Sequence, residues 1–275
     1  MALVHDDQLQ RSTARRSLCA VVPTRNEAGN VRQVVTRLTE ALAGVPSEIL
    51  FVDDSDDETP AVVDELSDTV WEPWVRLLHR TGAEREGGLG SAVVAGLRHA
   101  EADWVCVLDG DLQHPPEVVP ELLAVAEQSG ADLVIATRYA GTGSSDGLSA
   151  GRSVISRGAT TAARALFPQR LRGVSDPMSG FFLVRPGALD LDALRPDGFK
   201  ILLEILVAAP YLATCEVSFT FGDRHSGSSK AGLREGLRYG RSLASLRLRT
   251  LPGSTRPVTE PAPRLVAADA GGGTH

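Results

Sequence analysis

In the stretch Trp104–Glu117, WVCVLDGDLQHPPE, an apolar run leads into two aspartates separated by one glycine, and two prolines follow. If the strand carries on through Asp111, residues two apart share a face, so the carboxylates of Asp109 and Asp111 converge. Like charges that close are unfavourable unless something positive lies between them. A divalent cation bridging to phosphate oxygens is the natural partner. Mg²⁺ or Mn²⁺ prefers oxygen ligands, takes one or two protein carboxylates, and completes its shell from substrate and water. Gly110 removes side-chain bulk where a ligand has to approach. The plain alternative is a strand-to-turn boundary, where Asp and Gly are common for conformational reasons. For a bare DGD that alternative weighs at least as much.

The elements around this motif alternate. Leu18–Val22 is a short apolar strand ended by Pro23, and Val31, Val34, Val35, Leu38, Ala41 and Leu42 then recur at helical spacing. Glu48–Val52 is a second strand, with Pro60 suited to the first turn of the helix after it. Val75–Leu78 is a third, and Gly87–Gly90 opens a helix running to Ala100. Trp104–Leu108 is a fourth strand, followed by a helix over Glu117–Gln128, and Leu133–Ala136 is a fifth. Such β/α alternation implies an α/β fold, a mostly parallel sheet with helices on both faces. Ligands bind such sheets at the carboxyl ends of the strands. Those ends carry Asn26 and Glu27, Asp53 and Asp54, the turn 87–90, Asp109 and Asp111, and Arg138.

The chain has 275 residues, 43% hydrophobic and 23% charged, which is ample for one sizeable core. A net charge of −7 argues against a general nucleic-acid binder. Cys19, Cys106 and Cys215 lie far apart in apolar runs, with no metal-type spacing, and read as buried thiols of a cytoplasmic protein. The most apolar stretch, Ile201–Ala213, contains Glu204 and Pro210 and is too short to cross a bilayer. Residues 1–17 lack a signal-peptide core and read as a flexible arm. Residues 251–275 read as a disordered tail. The folded domain is expected over 18–230, followed by a basic amphipathic helix over 231–250.

The fragments PTRNEAGN, FVDDSDDETP, GGLGSAVVAGL, DGDLQHPPE, TRY, SDPMSGFFLVR, GFKILLEIL and FGDRHSGSSK occur in that order. With them the chain resembles the family 2 glycosyltransferases of GT-A fold, and within them the dolichol- or polyprenol-phosphate mannose synthases. The resemblance covers Leu18 to Lys230. The aspartyl-phosphate motif of haloacid-dehalogenase-like phosphatases is excluded, because it sits near a first strand and ends in Thr or Val rather than Leu-Gln. The resemblance implies a nucleotide-sugar donor held by Pro23, Thr24, Asn26, Glu27, Asp53, Asp54 and Asp109. It implies Mg²⁺ or Mn²⁺ on Asp109, Asp111 and Gln113. Asp176, with Ser179 and Gly180, and Lys200 match positions near the transferred sugar. Arg138, Arg152 and Ser156 match positions that hold an acceptor phosphate, a task suited to the planar fork of arginine. Arg224 and Lys230 match a loop that closes on the diphosphate and, with Asp111, carry the catalytic role.

The implied reaction is an inverting transfer, with mannose from GDP-mannose passing to a polyprenyl or dolichyl phosphate. That acceptor is already anionic at neutral pH and needs no strong base. The alternatives are another donor such as UDP-glucose or UDP-GlcNAc, a soluble small-molecule acceptor, and an inactive nucleotide-sugar-binding module. Lys230–Arg249 contains six basic residues against Glu235 alone. Leu233, Leu237, Leu243, Ala244 and Leu248 recur near helical spacing there. Two readings stand side by side: peripheral attachment to the cytoplasmic membrane face, or a helix packed on the domain with a solvated basic face.

Overall fold

The computed structural model describes residues 16–70, 72–138, 150–195, 200–220 and 233–250, with only the helical backbone given for 150–157 and 233–239. The chain opens with β1 (Arg16–Thr24), α1 (Ala28–Ala41), β2 (Ser47–Asp53), α2 (Thr59–Thr69) and β3 (Trp74–His79). Strand β1 starts two residues before the apolar run, and Arg16 is in register with Ala102, so Arg16 and Ser17 belong to the sheet rather than to an arm. The chain continues through α3 (Gly88–His99), β4 (Ala102–Val107), α4 (Val119–Ser129) and β5 (Leu133–Thr137). It ends with α5 (Ala150–Leu166), β6 (Phe182–Val184), α6 (Ile201–Ala208), β7 (Thr214–Ser218) and α7 (Leu233–Arg249).

The strands line up as β3-β2-β1-β4-β6-β5-β7. All pairings are parallel except those of β6, which runs antiparallel to both β4 and β5. The mostly parallel α/β sheet expected from the sequence is therefore present, with one reversed strand. That reversal matters for function. Because β6 runs against its neighbours, the residues leading into it, Ser175–Phe181, lie on the edge where the other strands end. Strand order also turns around between β1 and β4, which makes the space beyond Thr24 and Val107 the crevice of this sheet.

Strands β1 and β2 are buried on both faces, which accounts for their unbroken apolar runs. Alternate residues feed two cores. Leu18, Ala20 and Val22 pack with Val31 and Leu38 of α1 and Leu122 of α4. Cys19 and Val21 pack in the opposite layer with Val93 and Leu97 of α3 and Ile205 of α6. Helix α3 crosses β1 closely at Gly96, where a Cβ would lie 2.5 Å from Val21 Cγ1 and 3.2 Å from Val52 Cγ2. A β-branched valine on a buried strand cannot swing aside. Gly96→Ala is expected to cost about 1–3 kcal/mol, seen as a lower urea midpoint. An unchanged midpoint would show that the helix has room to move.

The three cysteines are free and buried. Burial pushes the Cys19 and Cys106 thiols above their usual range, and neighbouring Glu48 adds to this at Cys19. Native protein at pH 8 is expected to leave both unmodified by iodoacetamide and to release them only on denaturation. Labelling of either in the folded state at the rate of an exposed thiol would contradict this.

Helix α6 is buried from Ile201 to Val207, so ILLEIL is core. Its Glu204 accepts hydrogen bonds from the Arg195 backbone N–H (2.5 Å) and Arg249 Nη1 (3.0 Å), and so fastens the end of α7 to the domain. Leu243 and Leu246 of α7 sit in the same core as α6, whereas Ala244 is exposed and Leu248 is 66% exposed. The apolar face of this half of the helix is thus set by Leu243 and Leu246 and turned inward. It differs from the expected stripe through Ala244 and Leu248. Among the described residues no helix is long and apolar enough to cross a membrane.

Candidate active site

A cavity of about 250 Å³ opens at the crevice between β1 and β4. Its floor is Pro23 and Thr24 at the end of β1, one wall is Asp109–Gly110–Asp111 after β4, and the opposite wall is Asp54 with Gly88 and Leu89. The two aspartates reach it by a turn and not by strand pleat. Strand β4 ends at Val107, and residues 110 and 111 form a turn. The next residue, Leu112, is held at φ 64°, and its buried side chain anchors the bend. Asp111 Oδ1 accepts the Gln113 backbone N–H at 3.1 Å, which fixes the rotamer of that carboxylate. Gln113 itself does not line the cavity. A Cβ on Gly110 would sit 3.1 Å from Thr24 Cγ2, so glycine is what lets the turn lie against β1.

Asp53 and Asp54, adjacent in sequence, do different things. Successive side chains on a strand point to opposite sides. Asp53 is fully buried and accepts bonds from Thr24 Oγ1 (2.8 Å), Ser55 N (3.1 Å) and Ser55 Oγ (2.5 Å), with His79 Nδ1 at 2.7 Å. It ties the ends of β1, β2 and β3 together and is absent from the cavity wall, where it was expected beside Asp54. Asp54 does line the cavity, and it is gripped by both arms of Arg80, Nε at 2.8 Å and Nη2 at 2.6 Å. Arg80 is 5% exposed and also reaches Ser91 Oγ (3.0 Å) and the Gly88 carbonyl (3.4 Å), so it joins β2 to the start of α3. Gly87 and Gly88 have positive φ there, at 85° and 61°, which suits glycine.

Asn26 and Glu27 knit the loops that frame this cavity. Asn26, at φ 61°, takes the Asp56 N–H on its Oδ1, and its own N–H goes to Ser55 Oγ (2.7 Å). The Glu27 N–H goes to Thr59 Oγ1, and its carboxylate is held by Asn30. Arg25 is the one basic side chain among the described residues lining the cavity. Arg85, just before the Gly-rich turn, binds Asp56 and the Arg80 and Ser55 carbonyls and does not line the cavity. That ion pair raises the Arg85 pKa and lowers that of Asp56.

On the other side of Asp109 lies the loop Ser175–Phe181. A Cβ at Gly180 would be 3.5 Å from Asp109 Oδ1 and 3.2 Å from His114 Cε1, so glycine keeps this loop close to the carboxylate. Asp176 is fully buried and paired with Arg138, whose Nε (2.9 Å) and Nη2 (2.8 Å) both meet its Oδ2. These two, expected on the sugar and the acceptor phosphate respectively, form one ion pair. Ser179 bonds to the Ala136 and Phe181 carbonyls and is a strut of the loop. Lys200 reaches the Met178 carbonyl at 3.2 Å from the start of α6. Arg152 and Ser156 fall within α5, but their side chains lie outside the described residues, as do Arg224 and Lys230 altogether.

Sequence reasoning passed over Arg25, His79, Arg80 and His114. The rule that selected Asp53 and Asp109, polar residues at strand ends, also selects His79 and Arg80 at the end of β3. Arg25 lies inside a motif whose other members were chosen, and His114 inside the quoted DGDLQH.

The sheet order and its carboxyl-edge crevice are those of GT-A-type transferases. Two solved structures of glucosyl-3-phosphoglycerate synthase from Mycobacterium tuberculosis match with TM-scores of 0.59 and 0.61, covering 88% of this chain and 82% of theirs. At 21% and 20% identity that likeness is one of fold. More narrowly, the model for Glycosyl transferase family 2 matches residues 19–190, and the chain belongs to that family. It is 42% identical over 211 residues to a dolichol-phosphate mannosyltransferase of Pyrococcus furiosus, covering 76% of this chain and 58% of that one. Proteins of the same description from Mycosarcoma maydis and Saccharomyces cerevisiae are 38% and 36% identical over 86% and 82% of this chain. The chain spans 81% and 85% of the length of those two, against little more than half of the first.

Proposed function

We propose that this glycosyltransferase moves mannose from GDP-mannose to the phosphate of a polyprenyl or dolichyl phosphate, with inversion at the anomeric carbon. The observation that carries the reading is the position of Asp109. It faces the cavity it shares with Thr24 and Asp54 on one side, and on the other abuts the loop that carries Asp176 of the Arg138–Asp176 pair. A donor and an acceptor that meet over one carboxylate need two such half-sites. The description shared by the relatives supports mannose and the lipid phosphate, and the family resemblance supplies GDP as the carrier of the sugar.

The residues fit a divalent cation. The Asp109 side chain is 40% exposed, beside Asp111 on the cavity wall, and Gly110 and Gly180 leave room around the carboxylate. Among the described residues no three His, Cys, Asp or Glu gather into a metal cage. An open site for Mg²⁺ or Mn²⁺ needs none, since it keeps most positions for water and phosphate. Asp109 and Asp111 would hold it, with Gln113 added to the set by the family resemblance alone, and when bound it would neutralise charge growing on the leaving diphosphate. Arg25 and the amino end of α3 add positive potential on the same side. Arg224 and Lys230 are assigned to the same diphosphate from the chain beyond β7. The acceptor's own phosphate oxygen attacks, so the remaining task is to hold it in line.

That task is assigned to Arg152 and Ser156 of α5, which match the acceptor-phosphate positions of the family. Arg152→Ala is expected to raise KM for the lipid phosphate about 10- to 100-fold, the worth of one or two charged hydrogen bonds, with KM for the donor unchanged. Equal weakening of both substrates would remove the acceptor assignment. Peripheral contact through α7 is supported by its basic residues and by exposed Leu248. Flotation with anionic vesicles at low salt is expected to carry the protein upward, and failure to float would remove it. The reading as a whole is tested by a panel of GDP-mannose, UDP-glucose and UDP-GlcNAc against a short polyprenyl phosphate and a soluble sugar phosphate. Lipid-linked mannose from GDP-mannose is the expected product. Transfer only to the soluble acceptor, or only from a UDP-sugar, would replace it.

A further inference from the structure

The reaction just described makes no use of His114, although it is a buried side chain in contact with Asp109. It is 4% exposed and stacks on Phe181, with ring centroids 5.1 Å apart and an interplanar angle of 22°. The ring also meets Phe219 edge-on, with centroids 5.9 Å apart, and its Nδ1 lies 3.5 Å from Asp109 Oδ2. Its Nδ1 lies 3.0 Å from the backbone nitrogen of Asp109. A peptide N–H only donates, so Nδ1 is the acceptor in this bond, and the neutral ring then carries its proton on Nε2.

The bond falls at a particular place. The N–H of Leu108 makes the last sheet-type bond of this segment, to Val21 O at 3.2 Å, and β4 has ended by then. The Asp109 N–H points where the ladder has stopped, and a buried donor without an acceptor is costly. His114 supplies that acceptor from five residues on. In doing so it fixes the peptide from which the Asp109 carboxylate projects. The ends of two strands clamp the ring itself, one of them tied to a third. Phe181 leads into β6, Phe219 follows β7 and bonds Thr137 O at the end of β5 (3.0 Å), and Gly180 lies against Cε1.

We infer that His114 is a positioning residue for the cation site: its Nδ1 holds the Asp109 peptide and its aromatic clamp holds the ring, so the carboxylate is already aimed before cation and nucleotide arrive. This rests on the proposed reading of Asp109 as a ligand. Partners one layer out from a bound cation commonly change its affinity about 10- to 100-fold when removed.

The test uses full-length protein and measures Mn²⁺ affinity by electron paramagnetic resonance in the presence of GDP, alongside the melting temperature. His114→Phe keeps an aromatic ring in the clamp and loses the acceptor; it is expected to weaken Mn²⁺ by about 10- to 100-fold and to lower melting by only a few degrees, the cost of leaving the Asp109 N–H unpaired. His114→Asn, whose amide oxygen can accept the same N–H, is expected to recover most of that affinity even though it loses ring packing. Wild-type Mn²⁺ affinity in His114→Phe, with Asp109→Asn binding none, would overturn the role of His114 and leave Asp109 a ligand. No Mn²⁺ binding by wild-type protein would overturn both. A measurement on unsubstituted protein is independent of how the variants fold. ¹⁵N shifts of the His114 ring are expected to show a bare Nδ1 and a protonated Nε2, and a proton on Nδ1 would contradict the bond on which the inference stands.

Discussion

Asp111→Asn is expected to lower the rate of sugar transfer by about three orders of magnitude, the upper end for loss of one preorganised electrostatic group, while melting with wild-type protein. Asparagine keeps an oxygen where Asp111 Oδ1 accepts the Gln113 N–H, so the turn survives and only the charge is lost. Asp111→Ala removes both and is expected to lose the same activity and also some stability. The pair separates chemistry from folding. If Asp111→Asn turns over near the wild-type rate with Mn²⁺ present, the carboxylate has no part in the reaction, and the DGD turn is only a bend.

Arg80→Ala is expected to have the largest effect on stability. Arg80 is 5% exposed and its partner Asp54 is 7% exposed. Removing one member of a buried pair strands the other, at a cost of about 3–5 kcal/mol, or a fall in melting temperature on the order of 10 °C for a domain of this size. Donor binding should weaken as well, since Arg80 joins Asp54 to the Gly88 carbonyl and both residues line the cavity. Arg80→Lys keeps the charge but not the fork, and should fall between. A loss below about 1 kcal/mol for Arg80→Ala, the range of an exposed ion pair, would mean that Asp54 finds water or another partner.

Those two residues mark where the sequence was and was not legible. The strands were visible because a doubly buried parallel strand needs an unbroken apolar run, and their ends were visible because polar residues interrupt it. Asp109 and Asp111 were placed on the right edge for that reason, although by the wrong geometry. A strand continuing through Asp111 would have aligned them by its two-residue period, whereas the chain turns at Gly110 and Leu112. The same period, applied to Asp53 and Asp54, separates one structural acid from one cavity acid, and reading them as a pair obscured it. Strand β6 went unread because three residues, Phe182–Val184, carry no mark of direction. Its antiparallel course is set by its partners Val105–Val107 and Leu133–Ile135, far away in the chain. The Arg138–Asp176 pair and the His114 clamp are likewise products of that strand, since both form at its upstream loop. The apolar face of α7 was misassigned because Leu243–Leu246 and Ala244–Leu248 both have helical spacing, and only the position of α6 decides which pair turns inward.

The most direct measurement is the structure of the product. Incubated with α-linked GDP-mannose, Mn²⁺ and a polyprenyl phosphate, the protein is expected to yield a lipid phosphodiester whose mannose carries the β configuration by NMR, with one GDP released per lipid modified. An α-linked product would contradict direct attack by the acceptor phosphate across from the leaving diphosphate. Release of free mannose and GDP without any lipid product would contradict the assignment of an acceptor site beside Asp109 altogether.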